Sequence, residues 1–141
     1  SGGATAATAT AAAGPIGGVP KPFPGMFQFL MGRALAGAHV HAHGAAWNVL
    51  VHGEKRWFLF PPETPQHIAV VLRAAGLEPK FGLPALEWFR TEYQVLKRSR
   101  IAPLEVIQRP GDVIWVPEKW GHAVINLKPS VGFAMEIGFS S

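Results

Sequence analysis

Residues 36–48 read AGAHVHAHGAAWN and set His39, His41 and His43 at alternate positions. Alternate residues of an extended chain point to one face, so His41 and His43 can reach one metal ion from a single strand. Residues 110–127, PGDVIWVPEKWGHAVINL, bring a further histidine, His122, in a second extended stretch. If the two strands lie side by side, His122 completes a three-ligand set. A short His-x-His step with a distant histidine on a β-barrel wall is how non-haem iron is commonly held, and zinc, nickel or copper would also accept three imidazoles. The plain alternative, polar residues at a barrel mouth, suits a lone histidine better than a cluster. The stretch therefore points to a small β-barrel with a metal site inside it.

The chain has 141 residues and no cysteine. That length supports one domain with one core, and the absence of thiols excludes a disulfide framework and a thiolate metal site. Apolar runs are short and broken by Gly, Pro or charge, so no membrane-spanning helix is expected. The formal charge of +4 is partly local, in Lys97-Arg98-Ser99-Arg100. No aromatic platform accompanies that cluster, so it reads as a solvated patch and no nucleic-acid partner is expected.

Residues 1–22 are rich in Ala, Gly, Thr and Pro and have too little bulky apolar surface to offset their conformational entropy. They read as a low-complexity tail or linker. No basic region leads into an apolar core there, so the stretch reads as part of a fragment or processed form, not as an intact signal peptide. The compartment stays open. The folded domain is expected over residues 23–141.

Within it, MFQFLMGR at 26–33 suits a buried strand, and the histidine-bearing strand follows Gly37. Trp47–His52 and Lys55–Phe60 flank Gly53-Glu54, a tight hairpin. From about 65 to 98 the apolar spacing fits a period near 3.6 better than 2, with Pro65 and Pro84 in first turns. That segment reads as a helical insert. Strands resume at Leu104–Gln108, Asp112–Val116, His122–Leu127 and Val131–Ile137, punctuated by Gly111 and Pro117. Some eight short strands with an early-to-late pairing predict a mainly β fold, a double-stranded β-helix or jelly roll. Trp57, Phe58, Phe60, Trp115 and Phe133 are expected in the core, while Trp47 and Trp120 flank the proposed site.

From Phe27 to Gly138 the chain resembles the JmjC domain of the cupin-like, Fe(II)- and 2-oxoglutarate-dependent oxygenases. Three stretches carry the resemblance: MGRALAGAHVH at 31–41, WNVLVHGEKRWFLFPP at 47–62 and PLEVIQRPGDVIWVPEKWGHAVINL at 103–127. Their order and spacing together are specific, and the look is nearest to the compact JmjC proteins similar to protein hydroxylases. The resemblance implies Fe(II) and 2-oxoglutarate as cofactors and a protein as substrate or partner. It places the first metal histidine at His41 and the last at His122, with His39 in the approach turn. His43 falls where the family has Asp or Glu. A neutral imidazole there leaves the metal site one unit more positive and removes a hard oxygen ligand.

Lys55, inside GEKRW, corresponds to the lysine that pairs with the distal carboxylate of 2-oxoglutarate. Asn48 and Asn126 match polar positions that contact this cosubstrate, and each has an equal claim to satisfying a barrel backbone group. Ala134 falls near a position where relatives often place a hydroxyl. Two readings follow. In one, the chain is an oxygenase, weakened by these departures, that hydroxylates or N-demethylates a protein side chain. In the other it is a catalytically inactive JmjC-like protein, retained as a binding or structural subunit of a larger assembly.

Overall fold

The computed structural model describes residues 22–139, so the expected tail lies outside the described residues except for Pro22. Eight strands and three helices follow in the order β1 (Pro22–Gly32), β2 (Gly37–His41), β3 (Ala45–His52), β4 (Lys55–Phe60), α1 (Pro65–Ala74), α2 (Ala85–Arg90), α3 (Glu92–Leu96), β5 (Leu104–Gln108), β6 (Val113–Val116), β7 (Gly121–Asn126) and β8 (Ser130–Phe139). All strand pairs are antiparallel. They form two four-stranded sheets, β1-β8-β3-β6 and β2-β7-β4-β5. This is the jelly roll expected from the spacing of the strands, and the helical insert lies where the period changes. Pro65 opens α1, whereas Pro84 stands just before α2 in extended geometry. No helix among the described residues is long and apolar enough to cross a membrane.

Two-residue alternation divides β4 between two environments. Arg56, Phe58 and Phe60 face outward onto the helices, and Lys55 and Trp57 face inward onto a cavity. Cross-strand partners share a face, so Phe58 pairing with Ala123 and Arg56 with Ile125 puts β7's small and branched residues under the insert. The insert closes this face with Leu72, Trp88, Tyr93 and Leu96, all buried. Phe58 packs edge-on to Trp88, with ring centroids 5.2 Å apart, and at 4.7 Å from Tyr93. Arg56 fastens the same seam. Its guanidinium lies 5.2–5.7 Å from the ring centres of Phe58, Phe89 and Tyr93, and it pairs with Glu105, which also accepts from the Tyr93 hydroxyl.

The other sheet turns a different outer face to solvent. Phe27, Phe29 and Met31 on β1 and Val113 and Trp115 on β6 are all exposed, and Phe133 stacks on Phe27 at 5.9 Å. Trp115, expected in the core, is 47% exposed. Phe133 is only partly buried. Strand β6 is apolar at every position, so alternation could not say which of its faces is inside, whereas β8 turns Ser130, Ala134 and Glu136 to the cavity and Phe133 to the opposite face.

A buried polar bridge ties the sheets together. Gln108 on β5, fully buried, accepts from Trp57 Nε1 at 2.8 Å and donates from Nε2 to the Asn48 carbonyl at 3.0 Å. The same nitrogen reaches Asn48 Oδ1 at 3.3 Å. Its removal leaves the Trp57 donor and the Asn48 acceptors unpaired in the interior. Gln108→Leu should therefore destabilise the domain by about 2–4 kcal/mol, at roughly 1–3 kcal/mol for each stranded group. Urea denaturation measures this, and a loss below about 0.5 kcal/mol would show that the bridge holds nothing.

Candidate metal centre

The pairing of β2 with β7 sets His41 directly opposite His122, and Ala38 opposite Val124. Three residues on β2 thus span two on β7, an irregularity of the β-bulge kind. A bulge reverses the alternation beyond it and re-aims the side chains there. Continued alternation from Ala38, which lines the cavity, would have turned Val40 into the cavity and His41 away from it. Instead Val40 packs against the helical core and His41 faces inward. β2 ends at His41, so His43 reaches the site from the irregular stretch before β3, not from the strand itself.

His41, His43 and His122 each offer a ring nitrogen, and these atoms lie within 4.8 Å of one another. His39 is outside the group and lines a second, smaller cavity under the insert. Each of the three rings spends its Nδ1 on a backbone carbonyl. His41 bonds the His39 oxygen at 2.8 Å, His122 the Trp120 oxygen at 3.1 Å and His43 the Gly44 oxygen at 2.7 Å. A carbonyl only accepts, so each Nδ1 is the donor, which leaves Nε2 as the nitrogen that a neutral ring offers to a metal. Burial holds His122 down at about 4, with a smaller push from the neighbouring His41, and burial lowers His41 as well. Neutral, pre-aimed imidazoles are the protonation state that a divalent metal needs. The donor set fits such an ion.

The three rings stand at one end of a cavity of about 560 Å³ between the sheets. Lys55 is at the other end. It pairs with Asn126 across β4 and β7, four residues from His122 on β7, which separates the two rows by roughly 13 Å at ~3.3 Å per residue. Lys55 is 7% exposed, burial lowers its pKa, and it has no ion pair among the described residues. A buried ammonium facing a cavity without a counter-charge carries an uncompensated desolvation cost, which an anion could offset.

The remaining expected residues divide. Asn48 lines the cavity but its side-chain oxygen already accepts from Gln108. Asn126 lines it too, yet Nδ2 donates to the Arg33 carbonyl at 3.1 Å and its backbone brackets the same turn through Leu35 and Ala36. Trp47, Trp57 and Ala134 are in the wall; Trp120 contributes the carbonyl that orients His122. Sequence reasoning missed Glu136, which faces this cavity from β8, and Gln108, which supports its wall. A single carboxylate in an apolar β8 was the only sign of the first.

A family model described as JmjC domain, hydroxylase, matches residues 29–137. The chain belongs to the JmjC family. Among curated relatives, it is 36% identical over 106 residues to the bifunctional arginine demethylase and lysyl-hydroxylase psr-1 of Caenorhabditis elegans, covering 70% of this chain and 26% of that protein. It is 34% identical over 113 residues to JmjC domain-containing protein 8 of Homo sapiens, covering 79% of this chain and 38% of that protein. It is 30% identical over 86 residues to the 2-oxoglutarate and iron-dependent oxygenase JMJD4 of Mus musculus, covering 61% and 19%. The JmjC chain described here thus spans well under half the length of these relatives.

The histidines of this JmjC site give the metal-free domain a definite pH response. Unfolded His122 takes a proton near 6.5, whereas the folded residue resists until about 4. The unfolded state therefore binds more protons between these values, and stability, full above about 6.5, falls as the pH drops through this window. Thermal melts of the metal-free protein from about pH 7 to about pH 4 should show the decline, and His122→Gln should flatten it.

Proposed function

We propose that this chain is an Fe(II)- and 2-oxoglutarate-dependent oxygenase acting on a protein side chain, with His41, His43 and His122 holding the metal and Lys55 the cosubstrate. The observation that carries the reading is the arrangement of one cavity: three imidazoles, each oriented through Nδ1, converge at one end, and a buried ammonium without an ion pair among the described residues stands at the other. Its volume lies within the ~300–1,000 Å³ usual for small-molecule sites. The bound iron would supply the coupling of 2-oxoglutarate decarboxylation to oxidation of a substrate C–H bond.

The chain's own residues do the rest. Lys55 gives the distal carboxylate of the cosubstrate a charge partner on a wall where water is scarce, which fixes the molecule's direction in the cavity. Trp57 packs its ring 6.0 Å from that of His122 and is itself held by Gln108, so the floor between metal and lysine is stiff. Trp47 adds apolar surface that keeps water from the reacting end. The backbone carbonyls of His39, Trp120 and Gly44 hold the three rings in the tautomer that binds metal.

The names of the relatives support a cationic target. The two reactions in the name of psr-1, arginine demethylation and lysyl hydroxylation, start from oxidation of a C–H bond near nitrogen or on the stem of such a side chain. A lysyl or arginyl residue of a protein is therefore the proposed substrate, and the hydroxylase and demethylase names favour the enzyme reading over the scaffold one.

Calorimetric titration with Mn(II) tests the metal assignment. His41→Ala or His122→Ala should abolish binding, and His39→Ala should leave it unchanged. The opposite pattern, or retained binding in both of the first two variants, would remove the site. Lys55→Ala should weaken 2-oxoglutarate binding to the metal-loaded protein by about 2 kcal/mol or more, the scale of a buried charge left unpaired. His43→Asp should raise turnover by restoring the carboxylate. No 2-oxoglutarate binding by metal-loaded protein, together with no effect of His43→Asp, would overturn the oxygenase reading.

A further inference from the structure

We infer that Glu136 is the carboxylate that balances the three-histidine centre, replacing from outside the ring of nitrogens the charge that His43 does not bring. The inference rests on the metal reading above. Glu136 lies on β8, pairs across to Ala46 on β3, and both face the cavity that holds the three histidines. Its Oε1 accepts from the backbone N–H of Gly44 at 3.1 Å. Gly44 follows His43 directly, and its carbonyl accepts from His43 Nδ1 at 2.7 Å. One peptide residue thus carries the imidazole on its carbonyl and the carboxylate on its N–H.

The closeness depends on the glycine. A Cβ on Gly44 would stand 2.7 Å from Glu136 Oε1, so any other residue there would push the carboxylate away. Glu136 has no ion pair among the described residues. It is a half-buried carboxylate at the histidine end of the cavity with no cationic side chain paired to it among the described residues. The carboxylate is not one of the atoms within 4.8 Å of one another, so it acts through the field and not as a ligand in this arrangement.

Charge arithmetic gives the reason. A divalent ion with two histidines and a carboxylate carries net +1; with three histidines it carries +2. Glu136 returns the centre to +1. Adding the Lys55 ammonium and a doubly charged 2-oxoglutarate then brings the whole cavity to zero, the same balance that a carboxylate at position 43 would give. His122 is buried, His41 and Glu136 are half-buried and His43 is exposed, so such a unit charge is only partly screened there.

Glu136→Gln removes the charge while keeping an oxygen for the Gly44 N–H. Mn(II) affinity should fall about tenfold, equivalent to ~1.4 kcal/mol, with the melting temperature of the metal-free protein unchanged. In the His43→Asp background, where a carboxylate is already present, Glu136→Gln should cost little or nothing. Unchanged affinity in the single variant, or equal losses in both backgrounds, would overturn the compensating role and leave the metal reading standing. No Mn(II) binding by the wild-type protein would overturn both. A parallel fall in metal-free stability would overturn it in favour of a purely structural hydrogen bond to Gly44.

Discussion

Strand β7 is the ruler against which the site is measured. It is interior to its sheet, hydrogen-bonded to β2 on one side and to β4 on the other, so its register fixes both neighbours at once. His122 near its start draws His41 to the same row, and Asn126 at its end draws Lys55 to the far one. A slip of one residue would send every inward side chain of the strand to the opposite face. What prevents it is the face that takes no part in the chemistry. Ala123 and Ile125 are buried beneath the helices together with Phe58 and Phe60, and turning them into a polar cavity would forfeit that burial at ~25 cal/mol per Å². The insert supplies none of the candidate ligands, yet the placement of His122 and Lys55 depends on it. Arg56, held between three aromatic rings and Glu105, locks the insert to the sheet in turn.

The strands were legible because turn residues bracket them: Gly53, at φ +100° in the β3–β4 hairpin, and Pro61, which ends β4. The meeting of His41 with His122 was legible too, through the likeness of the flanking stretches, although simple alternation gives the right answer there for an incomplete reason. His41 and His43 were read as i and i+2 of one strand. In the fold, His41 is turned inward by an irregularity at its own strand's end, and His43 lies beyond that end. Nothing in Ala38-His39-Val40-His41 announces the extra residue, because it arises from how β2 fits against β7. The outward position of Trp115 was hidden for a different reason. Val113, Ile114, Trp115 and Val116 are apolar at every position, so the sequence offers no contrast between faces. Gln108 was hidden because a buried glutamine is defined by its partners, Trp57 and Asn48, which are distant in sequence.

Asn126 shows how one residue answers to two demands. Its side chain reaches back to Arg33, and a Cβ on Gly32 would lie 2.7 Å from its Nδ2, so the β1–β2 connection is shaped around it. The same residue faces the cavity beside Lys55. The turn it holds leads directly into β2 and sets the entry of the strand that carries His41. Cavity wall and strand placement are therefore linked: a change at Asn126 acts on the lysine end through the wall and on the histidine end through β2.

The charges of the cavity complete this picture. Burial works against the charged forms of both His122 and Lys55, but with different consequences. For the imidazoles, neutrality is the binding-competent state, so burial and metal affinity act in the same direction. For the lysine, burial without a partner carries a cost, and under the proposed function a carboxylate would relieve it. A buried ammonium without a counter-ion costs the domain stability, which marks Lys55 as a candidate functional group and not a folding one. Among the described residues the cavity wall has one acidic side chain, Glu136, which stands at the opposite end and forms no ion pair with Lys55. This separation gives the cavity a direction, with imidazole nitrogens and a carboxylate at one end and the ammonium beside Asn126 at the other.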